Sequence, residues 1–358
     1  MKLSRVYASG FRNIDRIELD AERDVNWITG LNGAGKTSIL EAIFLLARGR
    51  SFRGKRHGQL IGRGHQYFEI GADIAPDDEQ LPQSSLKLVQ SKRDFRFLEN
   101  GRLLGSLGDS RNRLHVRVIA DNAQHLLEGH PQIRRLFLDL NLFHVEHGYP
   151  QILSDFKRAL AQRNAWLRSG GHGPPVWDEP YCHLASQINR ARITLIKHLQ
   201  QSLQSTASSH GILLPMYQLK YSSGWPPSKS LAQLLRDNRD ADVARGYSFY
   251  GPARADFSVH DDNIDALPSR GQTKLLVFYL QLGAQIFSDS RVRVKPVWLL
   301  DDLSAELDST AVNMIIDSIS NLGCQIFVTA IGDRFQVPHI NASTRSMLFH
   351  VEHGRLVK

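Results

Sequence analysis

Residues Gly30-Leu-Asn-Gly-Ala-Gly-Lys36-Thr37 read G-x-x-x-x-G-K-T, and no other feature limits the fold of this chain as strongly. The loop works only between a strand and a helix. Val25, Trp27 and Ile28 before it read as a buried strand. Ser38-Ile-Leu-Glu-Ala-Ile-Phe-Leu-Leu46 after it reads as a helix with an apolar stripe. With both flanks in place, a chance glycine turn is a poor explanation. The backbone N–H groups of Gly30, Leu31, Asn32, Gly33, Ala34 and Gly35 can curl around a polyphosphate. The helix start at Lys36, Thr37 and Ser38 adds its positive end. Lys36 supplies a point charge for the β- and γ-phosphates, and Thr37 a hydroxyl for Mg²⁺. The loop predicts a bound nucleotide without saying what the nucleotide is for.

A phosphate loop needs a second, acidic element. Pro296-Val-Trp-Leu-Leu-Asp301-Asp302 supplies an apolar strand with carboxylates at its C-terminal end, where ligands of open α/β sheets sit. Asp301 is expected to act on the metal, and Asp302 to polarise an attacking water. A plain helix cap would explain the two aspartates alone, but Ser304-Ala-Glu-Leu-Asp308 follows directly. About thirty residues upstream, Ser269-Arg-Gly-Gln272 opens a helix. Its hydroxyl and the Gly271 N–H suit a γ-phosphate. Four motifs in this order match the ABC class of ATPases, in which the signature contact is made by a second subunit.

The 358 residues allow two domains, or one large domain with an insertion. A formal net charge of +8 favours an anionic partner such as nucleic acid, although composition alone also fits a merely basic protein. Two cysteines without metal-ligand spacing, no signal-like start and no long apolar run predict a cytoplasmic chain that does not enter a membrane. Strands are expected at Leu3–Val6, Ile14–Leu19, Val25–Ile28, Tyr67–Ile74, Leu86–Val89, Phe95–Leu98 and Val116–Ala120. From about residue 122 the pattern turns helical. Two runs, Ile152 to Leu160 and Leu184 to Leu203, flank the breaker Ser169-Gly-Gly-His-Gly-Pro-Pro175 and predict a helical hairpin. The α/β pattern returns after Gly251. The expected architecture is an α/β ATPase head of ABC type, residues 1–120 and 251–358, with a mainly helical lobe inserted over 121–250.

Lys36 and Asp301 lie too far apart for a transporter cassette and too near for long coiled-coil arms. Further stretches complete the picture: Phe11-Arg-Asn13, Leu40-Glu-Ala-Ile-Phe44, Gly49-Arg-Ser-Phe-Arg53, Arg134-Arg-Leu-Phe-Leu-Asp139, Leu160-Ala-Gln-Arg-Asn164, and Gly251-Pro252 with Arg254 and Asp256. On these the chain resembles, over nearly its whole length, the RecF family of bacterial recombination mediators. The resemblance implies a weak, DNA-dependent ATPase that dimerises on ATP and uses Mg²⁺. It implies binding to duplex DNA, favouring gaps and single-strand/duplex junctions, and help with RecA loading alongside RecO and RecR. In the related SMC-like heads, the arginine corresponding to Arg12 reaches the phosphates. The position of Thr329 is a histidine sensor in transporter cassettes, so the resemblance implies slow hydrolysis. Ala253 and Arg270 depart from the usual histidine and glutamine of the family.

Arg48, Arg50, Arg53, Lys55 and Arg56 crowd five charges into nine residues. Arg50, Arg53, Lys55 and Arg56 are expected to lie near both nucleotide and DNA; a solvated charge run is the alternative. Arg134 and Arg135 are expected either to meet phosphate or to pair with Asp139 and steady the lobe. A second reading of the whole chain is an SMC-like adaptor, with ATP as a dimer-closing ligand and little turnover.

Overall fold

The computed structural model describes residues 2–21, 23–54, 57–76, 82–104, 114–120, 123–143, 145–209, 217–261, 269–292, 295–332 and 344–357. They form two units, Met1–Asn122 with Val294–Lys358, and Ala123–Arg293.

In the first unit, β1 (Lys2–Phe11), β2 (Ile14–Asp20), β4 (Tyr67–Ala75), β5 (Ser84–Ser91), β6 (Phe95–Glu99) and β7 (Arg102–Leu103) make an antiparallel sheet ordered β2-β1-β4-β5-β6-β7. A second sheet runs β14-β13-β3-β12-β11-β8, from β3 (Val25–Gly30), β8 (Val116–Ile119), β11 (Val297–Leu300), β12 (Gln325–Ile331), β13 (Ser346–Glu352) and β14 (Arg355–Val357). Its pairs β13–β3, β3–β12, β12–β11 and β11–β8 are parallel. Parallel strands are covered on both faces, which is why β3 and β11 are buried at every residue instead of alternating. Helix α1 (Lys36–Arg48) supplies much of that cover. It is buried at eleven of its thirteen residues, Lys36, Ser38 and Glu41 among them, and shares one hydrophobic cluster with both sheets. Gln325 ties the sheets together: its side chain accepts from Leu3 N at 2.7 Å and donates to Leu3 O at 2.9 Å.

The second unit contains α2 (His125–Glu128), α3 (Pro131–Phe143), α4 (Tyr149–Arg168), α5 (Asp178–Ser209), α6 (Leu231–Asp237), α7 (Arg239–Arg245), α8 (Arg270–Asp289) and an antiparallel pair, β9 (Tyr217–Ser222) with β10 (Asp256–Asp261). Helices α4 and α5 pack on each other across the breaker. One boundary differs from expectation. The second unit runs to Arg293, not to residue 250, and takes α8 with it. The reason is packing: Val277, Leu280, Ala284 and Phe287 of α8 join Leu195, Ile196 and Leu199 of α5 in one core cluster.

The expected partner of Arg134 and Arg135 also changes. Arg134 forks onto Asp256, with Nε to Oδ1 at 2.7 Å and Nη2 to Oδ2 at 2.9 Å. Arg135 donates to Ala255 O at 2.9 Å. Asp139 instead takes Arg192 and the Tyr149 hydroxyl. Packing decides the exchange: Asp256 of β10 meets Arg134 in its guanidinium plane, while Asp139 is taken by Arg192 of α5.

Candidate functional site

Three elements far apart in sequence end side by side because β3, β12 and β11 are adjacent and parallel. The loop after β3 delivers Lys36 and Thr37; the end of β11 delivers Asp301 and Asp302; β12 delivers Thr329. They line a cleft of about 460 Å³, together with Arg12, Asn13, Asn32, Arg53, Gln59 and Ile61. That volume suits a ligand of nucleotide size, and all these residues belong to the first unit.

The loop is shaped from outside as well as within. The Val351 carbonyl sits where a Cβ of Gly30 would fall, and Gly30 has φ 143, so glycine is required there. Asn13 Nδ2 donates to Gly33 O at 2.7 Å, and Ser38 Oγ donates to Asn13 Oδ1 at 2.7 Å. From the final turn of the described chain, Gly354 N donates to Ala34 O at 2.8 Å. Lys36 Nζ donates to Gly30 O at 2.8 Å and Leu31 O at 2.9 Å, folding the ammonium back over the loop. Burial pushes this ammonium below the usual lysine value, against the pull of Asp302 and Asp301. A partly desolvated cation gains more from an arriving anion than a hydrated one does.

Asp301, almost fully buried, accepts from Thr37 Oγ1 at 3.0 Å and from Thr329 Oγ1 at 2.8 Å, both on Oδ1. A hydroxyl and a carboxylate meeting at the phosphate loop are the hard oxygen donors that Mg²⁺ takes. Among the described residues no three His, Cys, Asp or Glu side chains gather, so a cation here would draw its remaining ligands from phosphate and water. Asp302 follows in the left-handed region, φ 47, a conformation that costs a non-glycine residue about 1–3 kcal/mol. Its N–H donates to Thr329 Oγ1 at 2.8 Å, which holds the turn. Thr329 thus orders both aspartates in addition to facing the cleft.

Arg12 lies on the cleft wall, but its guanidinium is occupied. Nε and Nη2 fork onto Glu41 at 2.9 and 2.6 Å. Glu41 is wholly buried, also accepts from the Ser51 hydroxyl, and has Arg53 Nη1 at 3.9 Å. Arg53, expected near both nucleotide and DNA, lines this cleft, half exposed. Arg50 is exposed beyond the end of α1. Arg48 turns inward and donates to Val116 O at 3.2 Å. Lys55 and Arg56 lie outside the described residues. Sequence reasoning gave no role to Asn13, Gly354 or Glu41. Only Glu41 carried a signal, a lone carboxylate inside an apolar helix.

The signature residues sit in the second unit. Ser269 caps α8, accepting from Gln272 N at 3.3 Å, while Gln272 Oε1 accepts from Ser269 N at 2.8 Å. This reciprocal capping box fixes the hydroxyl at the helix start. No helix among the described residues is long and apolar enough to cross a membrane.

A family model described as the RecF/RecN/SMC N terminal domain matches residues 2–354. The chain is 34% identical to the DNA replication and repair protein RecF of Cellvibrio japonicus, covering 99% of each. It is 31% identical to the protein of that name from Pseudoalteromonas translucida, covering 100% of each. Among solved structures it is similar to one described as the recombination mediator protein RecF-ATP in the RecFOR pathway, with TM-score 0.82 and 23% identity over 99% of this chain and 98% of that one. An Smc head bound to the C-winged helix domain of ScpA shares the fold at TM-score 0.61 and 14% identity, over 100% of this chain and 97% of that one. With a family model matched over residues 2–354 and relatives 31% and 34% identical over essentially their whole length, the chain belongs to the RecF family.

Proposed function

We propose that this chain is an ATP-switched DNA-binding recombination mediator. One observation carries the proposal: Lys36, Thr37, Asp301, Asp302 and Thr329 converge on one cleft although their codons of sequence lie far apart. ATP binds with its phosphates over Gly30–Ser38, and Thr37 and Asp301 hold Mg²⁺. Ser269 and Gly271 of a second subunit, at the capped start of α8, complete the site in trans. Two triphosphates bridged in this way close a dimer that clamps gapped or junction duplex DNA. Such a ligand shifts the equilibrium because it binds the closed state better. Alongside RecO and RecR the clamp assists RecA loading. This part rests on family membership and on the likeness to a recombination mediator of the RecFOR pathway. Arg50 belongs to the DNA-facing surface; Arg53 serves the nucleotide.

Thr329 offers a hydroxyl where an imidazole would be needed to sense the γ-phosphate, so DNA-stimulated hydrolysis is slow. Phosphate release near background with normal dimerisation would favour the adaptor reading. The main test is sedimentation velocity with and without ATP and gapped duplex DNA, on wild type and Lys36→Arg. ATP should produce a dimer in wild type alone and raise its DNA affinity. A protein that stays monomeric with unchanged DNA affinity refutes the switch.

Glu41 positions Arg12 in this scheme. Glu41→Gln keeps the shape and removes the charge that fixes the guanidinium. It should raise the ATP dissociation constant about fivefold, roughly 1 kcal/mol, in a titration with a fluorescent ATP analogue. An unchanged constant would show that Arg12 is not positioned through Glu41.

A further inference from the structure

A buried polar network in the second unit, sharing no residue with the cleft of the first, holds residues 246–256. Arg163, with 0% exposure, donates from Nη1 to Asp242 Oδ2 at 3.1 Å and to Ser248 Oγ at 2.7 Å, and from Nε to Asp178 at 2.7 Å. Asn164 Oδ1 accepts from Ser248 N at 2.8 Å, and Asp242 Oδ1 from Phe249 N at 3.2 Å. The Tyr181 hydroxyl donates to Tyr250 O at 2.7 Å, and Arg192 to Pro252 O at 2.9 Å. Gly251 has φ 139, and a Cβ there would run into that Tyr181 hydroxyl. Burying several charges to pin a loop from beneath costs stability. The loop is therefore preorganised, the condition for a binding surface that loses little entropy on contact.

Its outer face is aromatic and cationic. Tyr247 and Phe249 are 39% and 40% exposed, although both are large apolar rings. The Arg245 guanidinium lies 4.9 Å from the Phe249 centroid. Arg254 lies 5.5 Å from the Tyr247 centroid and 5.7 Å from that of Phe249. Residues 243–255 contain two arginines and no carboxylate, and of the flanking aspartates the wholly buried Asp242 lies 3.3 Å from Arg245. Flat rings and flat guanidiniums stack with nucleobases whatever the sequence, and the same arginines meet phosphates. Duplex DNA hides its base faces, so the fitting partner is single-stranded.

We infer that the Tyr247–Arg254 face of the second unit binds single-stranded nucleic acid by stacking unpaired bases on Tyr247 and Phe249, with Arg245 and Arg254 on the phosphates. This deepens the proposed DNA-binding function and rests on it: the face would read the single-stranded side of a gap. None of these side chains lines the nucleotide cleft.

The test uses the full chain with ATP, by fluorescence anisotropy on a short oligo(dT), a blunt duplex and a gapped duplex. The double variant Tyr247→Ala, Phe249→Ala should bind oligo(dT) about tenfold or more weakly and leave blunt-duplex affinity unchanged. As an independent readout, Tyr247→Trp should lose fluorescence when oligo(dT) is added. Undiminished oligo(dT) binding by the double variant overturns the inference, while ATP-dependent binding of gapped duplex by wild type would leave the proposed function standing. Quenching of Tyr247→Trp by poly-glutamate but not by oligo(dT) also overturns it, in favour of an acidic polypeptide. If wild type binds none of the three DNAs, the proposed function fails and the inference with it.

Discussion

Lys36→Ala is expected to weaken nucleotide binding about a hundredfold, near 3 kcal/mol, and to remove ATP-dependent dimerisation with it. The ammonium is a full positive charge folded over the loop, and it is partly desolvated before any ligand arrives. Two or three charge-assisted bonds to phosphate at about 1.5–3 kcal/mol each would allow a still larger loss; replacement by water recovers part of it. Lys36 also holds the carbonyls of Gly30 and Leu31, so the variant loop loses its internal brace. Isothermal titration with an ATP analogue measures the first effect and sedimentation the second. An affinity within threefold of wild type would refute the assignment of this loop as the phosphate site.

Asp242→Ala is expected to destabilise the second unit by about 3–5 kcal/mol, as urea unfolding would report. It leaves Arg163 buried with one carboxylate fewer and strips a partner from Arg245 and from Phe249 N. Asp237→Ala is the control. The Lys229–Asp237 pair is 3.2 Å apart and the Arg163–Asp242 pair 3.1 Å, yet the first is exposed and the second is not. Removing the exposed pair should leave the unfolding midpoint unchanged, because water and salt already screen it. Burial, not distance, separates the outcomes. Equal midpoints for both variants would show that the network under the 246–256 loop is not holding it.

The strands around the phosphate loop were legible because their signal is local. A largely apolar run before Gly30 and a wholly apolar one before Asp301 read as strands covered on both faces, and both are. The pairing of β9 with β10 was not legible. Tyr217–Ser222 alternates, but its partner begins at Asp256, beyond two short helices, and no turn signal joins them. The boundary at residue 250 failed for a related reason. A return to α/β patterning looks the same whether the next helix packs on the head or on the arm, and α8 packs on the arm. In the site, the motif residues were found and Glu41 was not. Glu41 acts on Arg12, and that meeting depends on α1 lying against the end of β1.

What the sequence determined by itself was the chemistry. Gly30–Thr37, Asp301-Asp302 and Ser269–Gln272 each encode a short piece of backbone whose polar groups are set largely by the residues within it. What only the tertiary structure decided was which charge answers which: Arg12 with Glu41, Arg134 with Asp256 rather than Asp139, Arg163 with Asp178 and Asp242. Motif chemistry depends on contacts a few residues apart. Buried ion pairs depend on where whole helices pack, and a forked guanidinium donates to whichever carboxylate the packing brings into its plane.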